Sequence, residues 1–135
     1  MTISYLLDSS ACIPILRNQA GLAGLPAPEI TGIPVIVAAE LWTGVKKNLK
    51  THPHHGPRLE TFLSLFHLAD FDLAAAIHYA EIRAILEAKG TPIGPLDLLI
   101  AAQARALGAT LVTANVREFK RVKGLKVQMW KAPKK

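Results

Sequence analysis

The sequence predicts one α/β domain built on a parallel sheet. Three observations carry that expectation. Short apolar or β-branched runs alternate with helix-forming segments along the chain, which is the pattern left by strand-helix-strand crossovers. The 135 residues, half of them apolar, suffice for one compact core and fall short of two ordinary domains, so residues 1–135 are read as a single domain. Neither an internal repeat nor a low-complexity stretch interrupts the alternation. In sheets of this kind ligands gather outside the carboxyl ends of the strands, which directs attention to the residues that follow each strand.

Ile3 leads into Tyr5-Leu6-Leu7, the first strand, and Asp8-Ser9-Ser10 supplies residues that favour a helix N-terminus, for a helix extending to about Gln19. Three glycines and two prolines between Gly21 and Gly32 read as loop. Pro34-Val35-Ile36-Val37 is the second strand, and Ala38 to Lys50 the helix after it. The segment from His52 to Pro57 breaks that helix. Another runs from Arg58 to Leu65, with Leu59, Phe62 and Leu63 at helical spacing, and Phe66-His67-Leu68 is a weak third strand. From Asp72 an Ala-rich helix reaches about Lys89, with Ile77, Ala80, Ala84 and Ile85 on one face, Gly90 at its end and Pro92 just beyond. Gly94-Pro95 opens the next, which carries Leu96 to Leu107 and closes at Gly108. Thr110 to Thr113 is a strand, and Val127 to Trp130 the last one.

The net charge of +6 is unevenly spread: eight of the sixteen Lys and Arg lie between Arg117 and Lys135, with Glu118 the one acid among them. Such a cluster reads as a surface that attracts nucleic-acid phosphates, and equally as a solvated tail. Cys12, the lone cysteine, cannot bridge within the chain, and among Ala11, Ile13, Ile15 and Leu16 it reads as an inert core thiol. No apolar run approaches the ~18–20 residues of a membrane-spanning helix, and Met1 leads into Ile3 without a basic leader, so an unprocessed cytoplasmic protein with no membrane partner is expected.

Asp8 follows the first strand by one residue, Glu40 the second by three, and Asn115 the strand ending at Thr113 by two, which brings all three near one edge. Asp97 stands in the first turn of a helix whose other nearby side chains are apolar. Each has a structural reading on its own: Asp8 and Asp97 suit helix N-termini, and Glu40 is a good helix former. Together they repel one another and raise their pKa values unless a cation compensates. Oxygen ligands without cysteine point to Mg²⁺ or Mn²⁺, and a hard divalent ion among carboxylates suits phosphate ester hydrolysis.

The segments Tyr5–Ile13 (YLLDSSACI), Val37–Lys47 (VAAELWTGVKK) and Gly90–Trp130 resemble, in order and over almost the whole chain, the motifs of VapC-type PIN-domain toxins. The resemblance implies a three-layer sandwich around a central parallel sheet and a Mg²⁺-dependent endoribonuclease that cuts a structured RNA such as tRNA. It further implies a small cognate antitoxin that occupies the active site, and a homodimer. By motif, Asp8, Glu40 and Asp97 match the family's acidic positions, as metal ligands or orienters of the attacking water. Asn115 stands where many relatives carry Asp; an amide oxygen can coordinate Mg²⁺ but brings no charge, and Glu118 one helical turn later offers the missing carboxylate. The first motif reads Asp8-Ser9-Ser10 rather than the commoner Asp-Thr-Asn, which keeps a hydroxyl at Ser9 and removes an amide at residue 10. Thr113 is placed to hydrogen-bond an acidic ligand or simply favours the strand, and Arg83 and Arg117 read either as phosphate contacts or as solvated charges.

His52, His54 and His55 have a metal site's composition, but a Pro/Gly loop offers no fixed geometry, so they read as exposed. Trp42 and Trp130 read as core or interface aromatics. Two rival functions differ in chemistry. A haloacid-dehalogenase-type phosphatase also places Asp after its first strand but needs a second Asp two residues on, where Ser10 stands. A non-catalytic RNA- or partner-binding module on the same fold would hold RNA without cutting it.

Overall fold

The computed structural model describes residues 2–17 and 21–130. Five parallel strands, β1 (Tyr5–Leu7), β2 (Thr31–Pro34), β3 (His67–Ala69), β4 (Thr110–Thr113) and β5 (Lys126–Met129), lie in the order β3-β2-β1-β4-β5. Leu6 faces Gly32 on one side and Leu111 on the other, and Leu7 pairs with Val112. The chain therefore builds outward from β1 in one direction to β3, then returns across it to β4. That reversal opens a crevice between β1 and β4 at their carboxyl ends, where Asp8 emerges.

Among the described residues six α-helices connect the strands, α1 (Ser9–Leu16), α2 (Val35–Lys47), α3 (His55–Ser64), α4 (Leu73–Ala88), α5 (Pro95–Leu107) and α6 (Val116–Phe119), with a short 3-10 turn at Pro28–Ile30 before β2. Right-handed crossovers set α1 to α3 on one face of the sheet and α4 to α6 on the other, giving the three layers expected. The core is continuous across the sheet: Leu6, Leu7, Ile33, Leu111 and Val112 are fully buried in it, with Leu59 and Ile82 from helices on either side. Cys12 is buried there, and its thiol is pushed far above the usual range by burial and then by the charge of Asp8, as an inert core cysteine should be. Among the described residues no helix is long and apolar enough to cross a membrane.

Several boundaries differ from the expected ones. The second strand is Thr31–Pro34, not Pro34–Val37, and Gly32 lies inside it rather than in a loop. A Cβ at Gly32 would stand 3.1 Å from Leu6 Cδ2 and 3.2 Å from Ile3 Cδ1, so a glycine permits those side chains to close over the strand. Val35, Ile36 and Val37 form the first turn of α2 behind Pro34, because burial of Val37 against the sheet outweighs β-branched propensity, and α2 stops at Lys47 rather than Lys50. Helix α1 stops at Leu16, with Arg17 capping it; Gln19, to which it was extended, lies outside the described residues. Helix α3 starts at His55, because Pro57 in its first turn removes no helical hydrogen bond.

The face of α4 that carries Ile77, Ala80, Ala84 and Ile85 is the exposed one. Ile77 is 53 % and Ile85 42 % accessible, with Ala80 and Ala84 also exposed, while Ala75, Ile82 and Leu86 are buried. A helix apolar on both sides carries no periodic signal that selects between them.

Gly32→Ala should cost roughly 1–3 kcal/mol in chemical denaturation through overpacking against Leu6 and Ile3. Gly44→Ala, in α2 with nothing within 4 Å of its would-be Cβ, should instead stabilise the fold by up to ~1 kcal/mol. Equal effects of the two substitutions would contradict this account of β2.

Candidate active site

Asp8 leaves β1 with its side chain almost wholly buried and caps α1. Its Oδ1 accepts from the Ser10 hydroxyl at 2.6 Å and from the Ala11 amide at 3.2 Å, and its Oδ2 accepts from the Thr113 hydroxyl at 2.5 Å. Burial raises its pKa, against the pull of these three donors. The same two hydroxyls tie the end of β4 to the start of α1: the Ala114 amide donates to Ser10 Oγ and the Asn115 amide to Thr113 Oγ1, both at 2.9 Å. Thr113, fully buried, thus has the orienting contact that was one of its two readings, and Ser10, although it replaces the family's usual amide, holds the carboxylate directly.

Glu40, half-buried on α2, accepts from the Ser9 hydroxyl at 3.0 Å. Asp97 is the third residue of α5, immediately behind the Gly94-Pro95 start, and also half-buried. Glu118, on the short α6, accepts from the Gly94 amide at 2.7 Å and from Asn115 Nδ2 at 2.9 Å. A Cβ at Gly94 would stand 3.4 Å from Asp97 Oδ2 and 3.7 Å from Glu118 Oε1, so this glycine lets two carboxylates close on the backbone.

The electrostatics tie all four acids together. Asp97 is pushed up to about 6, first by burial, then by the charges of Glu118, Asp8 and Glu40, and by a hydrogen bond with Glu118. Glu118 is held low, chiefly by the Gly94 amide and then Asn115. Asp97 therefore carries the proton of the pair and Glu118 the charge. The charges of Glu118, Asp8 and Glu40 all act on Asp97, so the four acids neighbour one another at the carboxyl edge beside β1 and β4. Asn115, itself exposed, turns its amide to Glu118. Among the described residues no three His, Cys, Asp or Glu side chains are grouped so that they could hold a metal ion as they stand; what links the four acids is the electrostatic coupling of Asp97 to the other three, in one acidic mouth. Its donors are all oxygen, and its mutual repulsion fits a hard divalent cation.

Other expectations resolve less centrally. His52, His54 and His55 are exposed, and the first and last stack at 4.6 Å. Trp130 is buried with its indole edge over Gly24, and Trp42 is half-buried beneath Lys46. Arg83 pairs with Glu87 at 2.9 Å on α4. Arg117, Lys120, Arg121, Lys123 and Lys126 are all exposed, while Lys131, Lys134 and Lys135 lie outside the described residues. Gln103, buried in α5, was not singled out from the sequence; its Nε2 donates to Ala69 and Asp70 carbonyls at 2.8 and 2.9 Å and pins α5 to the end of β3. One amide in an otherwise apolar helical stretch was the signal. A groove of about 380 Å³ between α1, α2 and α3, floored by Ile13, Leu16, Leu41 and Leu59, runs up to Glu40.

The PIN-domain family model matches residues 5–125. The chain is 33 % identical to the tRNA(fMet)-specific endonuclease VapC of Salmonella typhimurium, with 95 % of this chain and 98 % of that protein covered. It is 38 % identical to ribonuclease VapC2 of Rickettsia felis, with 93 % and 97 % covered. Among solved structures, the DNA-bound VapBC of Salmonella typhimurium superposes with a TM-score of 0.87 at 34 % identity, over 96 % of this chain and 99 % of that one. VapBC2 of Rickettsia felis bound to a promoter DNA fragment does so with 0.83 at 36 %, over 93 % and 98 %.

The raised pKa of Asp97 has a sign that can be checked. Folded, the group protonates near 6, and unfolded near 3.8, so the native state binds the extra proton between those values and is destabilised above them. Without divalent ions, thermal stability should rise as pH is lowered from 7 toward 5, and Asp97→Asn should flatten that rise. Unchanged pH dependence in the variant would contradict the assignment.

Proposed function

The chain belongs to the PIN-domain family and, within it, to the VapC ribonucleases, and from that premise we propose that it is a divalent-metal-dependent endoribonuclease acting as the toxin of a toxin–antitoxin pair. The observation that carries the catalytic part is the acid cluster: four carboxylates on four separate elements, one of them, Asp97, raised to about 6 first by burial and then by the charges of the other three. Asp8, Glu40 and Asp97 are the metal ligands in this reading, with Mg²⁺ the ion and Mn²⁺ a substitute. Such an ion, when bound, lowers the pKa of a water molecule and neutralises charge on a phosphodiester.

The chain's own residues do the rest. Asp8, gripped by Ser10, Thr113 and the Ala11 amide, is the rigid member. Glu40 is aimed by Ser9. Asp97, raised to about 6, is the acid whose ionised form a bound cation would favour, and once ionised either it or Glu118 can orient water or accept its proton. Asn115 and the Gly94 amide keep Glu118 in place, so Glu118 rather than Asn115 supplies the fourth negative charge. Exposed Arg117 and Arg121, on and just after the helix that carries Glu118, are the cations nearest this mouth, while Lys123 and Lys126 lie toward the amino end of the sheet and add only long-range attraction for a polyanion.

A structured RNA such as tRNA is the proposed substrate, supported by the named specificity of the Salmonella relative. A small antitoxin is the proposed partner, supported by the solved VapBC relatives, a family described as toxin–antitoxin systems. A second copy of the chain has a ready surface on α4, where Leu73 and Ile77 are 76 % and 53 % accessible.

Asp8→Asn and Asp97→Asn should each lower Mg²⁺-dependent cleavage of tRNA by at least ~100-fold while the circular dichroism spectrum and a cooperative melt are retained. Full activity in either folded variant would refute the assignment. RNA binding without cutting by the unmodified protein, at any Mg²⁺ or Mn²⁺ concentration, would favour a non-catalytic module.

A further inference from the structure

Beside the acid mouth lies a second concavity that the proposed chemistry does not use. It measures about 210 Å³ and is lined on one side by Tyr79, Arg83 and Leu86 of α4 and on the other by Pro92, Ile93 and Pro95. Tyr79 stands in it with its ring braced edge-on by Phe71, the centroids 6.5 Å apart. The Arg83 guanidinium lies over that ring at 6.0 Å, donates to the Tyr79 hydroxyl at 3.1 Å and is tied through Nε to Glu87 at 2.9 Å. Two of its five N–H donors are thus spent within the helix. Across the concavity, Arg121 donates to the Pro92 carbonyl at 3.0 Å, which fixes a second cation beside that wall.

The position of this wall is what matters. Ile93 and Pro95 face the concavity, whereas Gly94 between them gives its amide to Glu118 and borders Asp97. One residue, spanning ~3.8 Å of chain, separates the two sites. A strand of RNA whose scissile phosphate is drawn to the acid mouth by the divalent ion that the mouth would hold has a neighbouring base within reach of the other side. An aromatic ring with an arginine over it, edged by prolines and an isoleucine, is the chemistry that stacks a nucleobase; Glu87, which also lines the concavity, pairs with Arg83, which leaves Arg121 beside the Pro92 wall as the cation for an adjoining phosphate. By helical geometry this face of α4 points roughly a quarter-turn or more away from the Leu73, Ile77, Ala80 and Ala84 stripe.

Resting on the endoribonuclease reading above, we propose that the Tyr79–Arg83 concavity is a base-stacking subsite that receives a nucleotide next to the cleaved bond and helps choose where RNA is cut.

The test begins by mapping cut sites on total tRNA by sequencing fragment ends, with full-length protein and Mg²⁺. A synthetic RNA spanning the mapped site is then assayed with one abasic residue at each flanking position in turn. The proposal expects one position at which base removal raises KM roughly ten-fold with kcat little changed. It expects Tyr79→Ala to show that loss on intact RNA and no further loss on the abasic RNA, Tyr79→Phe to behave nearly as the unmodified protein, and Arg83→Ala to lose part of the effect. If Tyr79→Ala fails to fold for want of its contact with Phe71, the abasic series and Arg83→Ala decide. Cleavage indifferent to every abasic substitution overturns the subsite while leaving the nuclease intact, as does a Tyr79→Ala enzyme that still senses the missing base. Failure of the unmodified protein to cut any tRNA overturns the reading beneath it and the subsite together.

Discussion

Like charges gathered at one edge of a sheet must be held there against their repulsion, and that constraint organises this molecule. The fold meets it with hydrogen bonds from the protein itself, buried at Asp8 and more open at Glu118. Asp8 takes hydroxyls from both the helix it caps and the strand beside it. Glu118 takes the Gly94 amide and the Asn115 side chain. What is not offset by donors appears as the proton retained on Asp97 near pH 6. The stability sacrificed at that carboxylate is the kind of cost that functional sites carry and structural caps do not. A helix cap alone would be expected to lower the pKa of Asp97, not raise it.

Sheet topology makes the convergence possible. Because the chain builds from β1 to β3 and then crosses back to β4, the ends of β1 and β4 are neighbours although their residues are about a hundred positions apart, as in the Asp8–Thr113 hydrogen bond. Helix α5 then contributes its first turn, and Gln103 further along it anchors the helix to the end of β3. Buried hydrogen bonds and glycine at two close approaches, Gly32 in β2 and Gly94 before α5, bring the parts together. The surface is basic overall, so a polyanion is attracted broadly and met by a localised negative pocket that a cation would complete.

Much of this was legible in the sequence because strong local signals coincide with tertiary roles. Asp8 caps a helix and follows a strand, and Gly94-Pro95 and Gly108 bracket α5 at the positions found. The three main acids stood out because each interrupts an apolar context. The departures have physical causes rather than weak signals alone. Gly32 and Pro34 look like loop residues, yet the strand needs a glycine under Leu6 and ends in a proline at the start of α2. Val35 to Val37 have strand propensity but lie in a helix because packing decides. Spacing could not tell which side of α4 faces the core, because Leu73, Ile77 and Ile85 are as apolar as the residues buried there. Nor could spacing reveal that the Asn115 amide and the Gly94 backbone meet at Glu118, since that contact spans a loop, a helix and a strand.

The central claim is that these carboxylates form one electrostatic unit awaiting a divalent cation. Titration of the Asp97 side-chain carbon by NMR tests it most directly, first without divalent ions and then with saturating Mg²⁺. The account predicts an apparent pKa near 6 in the first case and a fall of at least about a unit in the second, as the cation takes the place of the proton. An Asp97 that titrates at its ordinary value and ignores Mg²⁺ would contradict it.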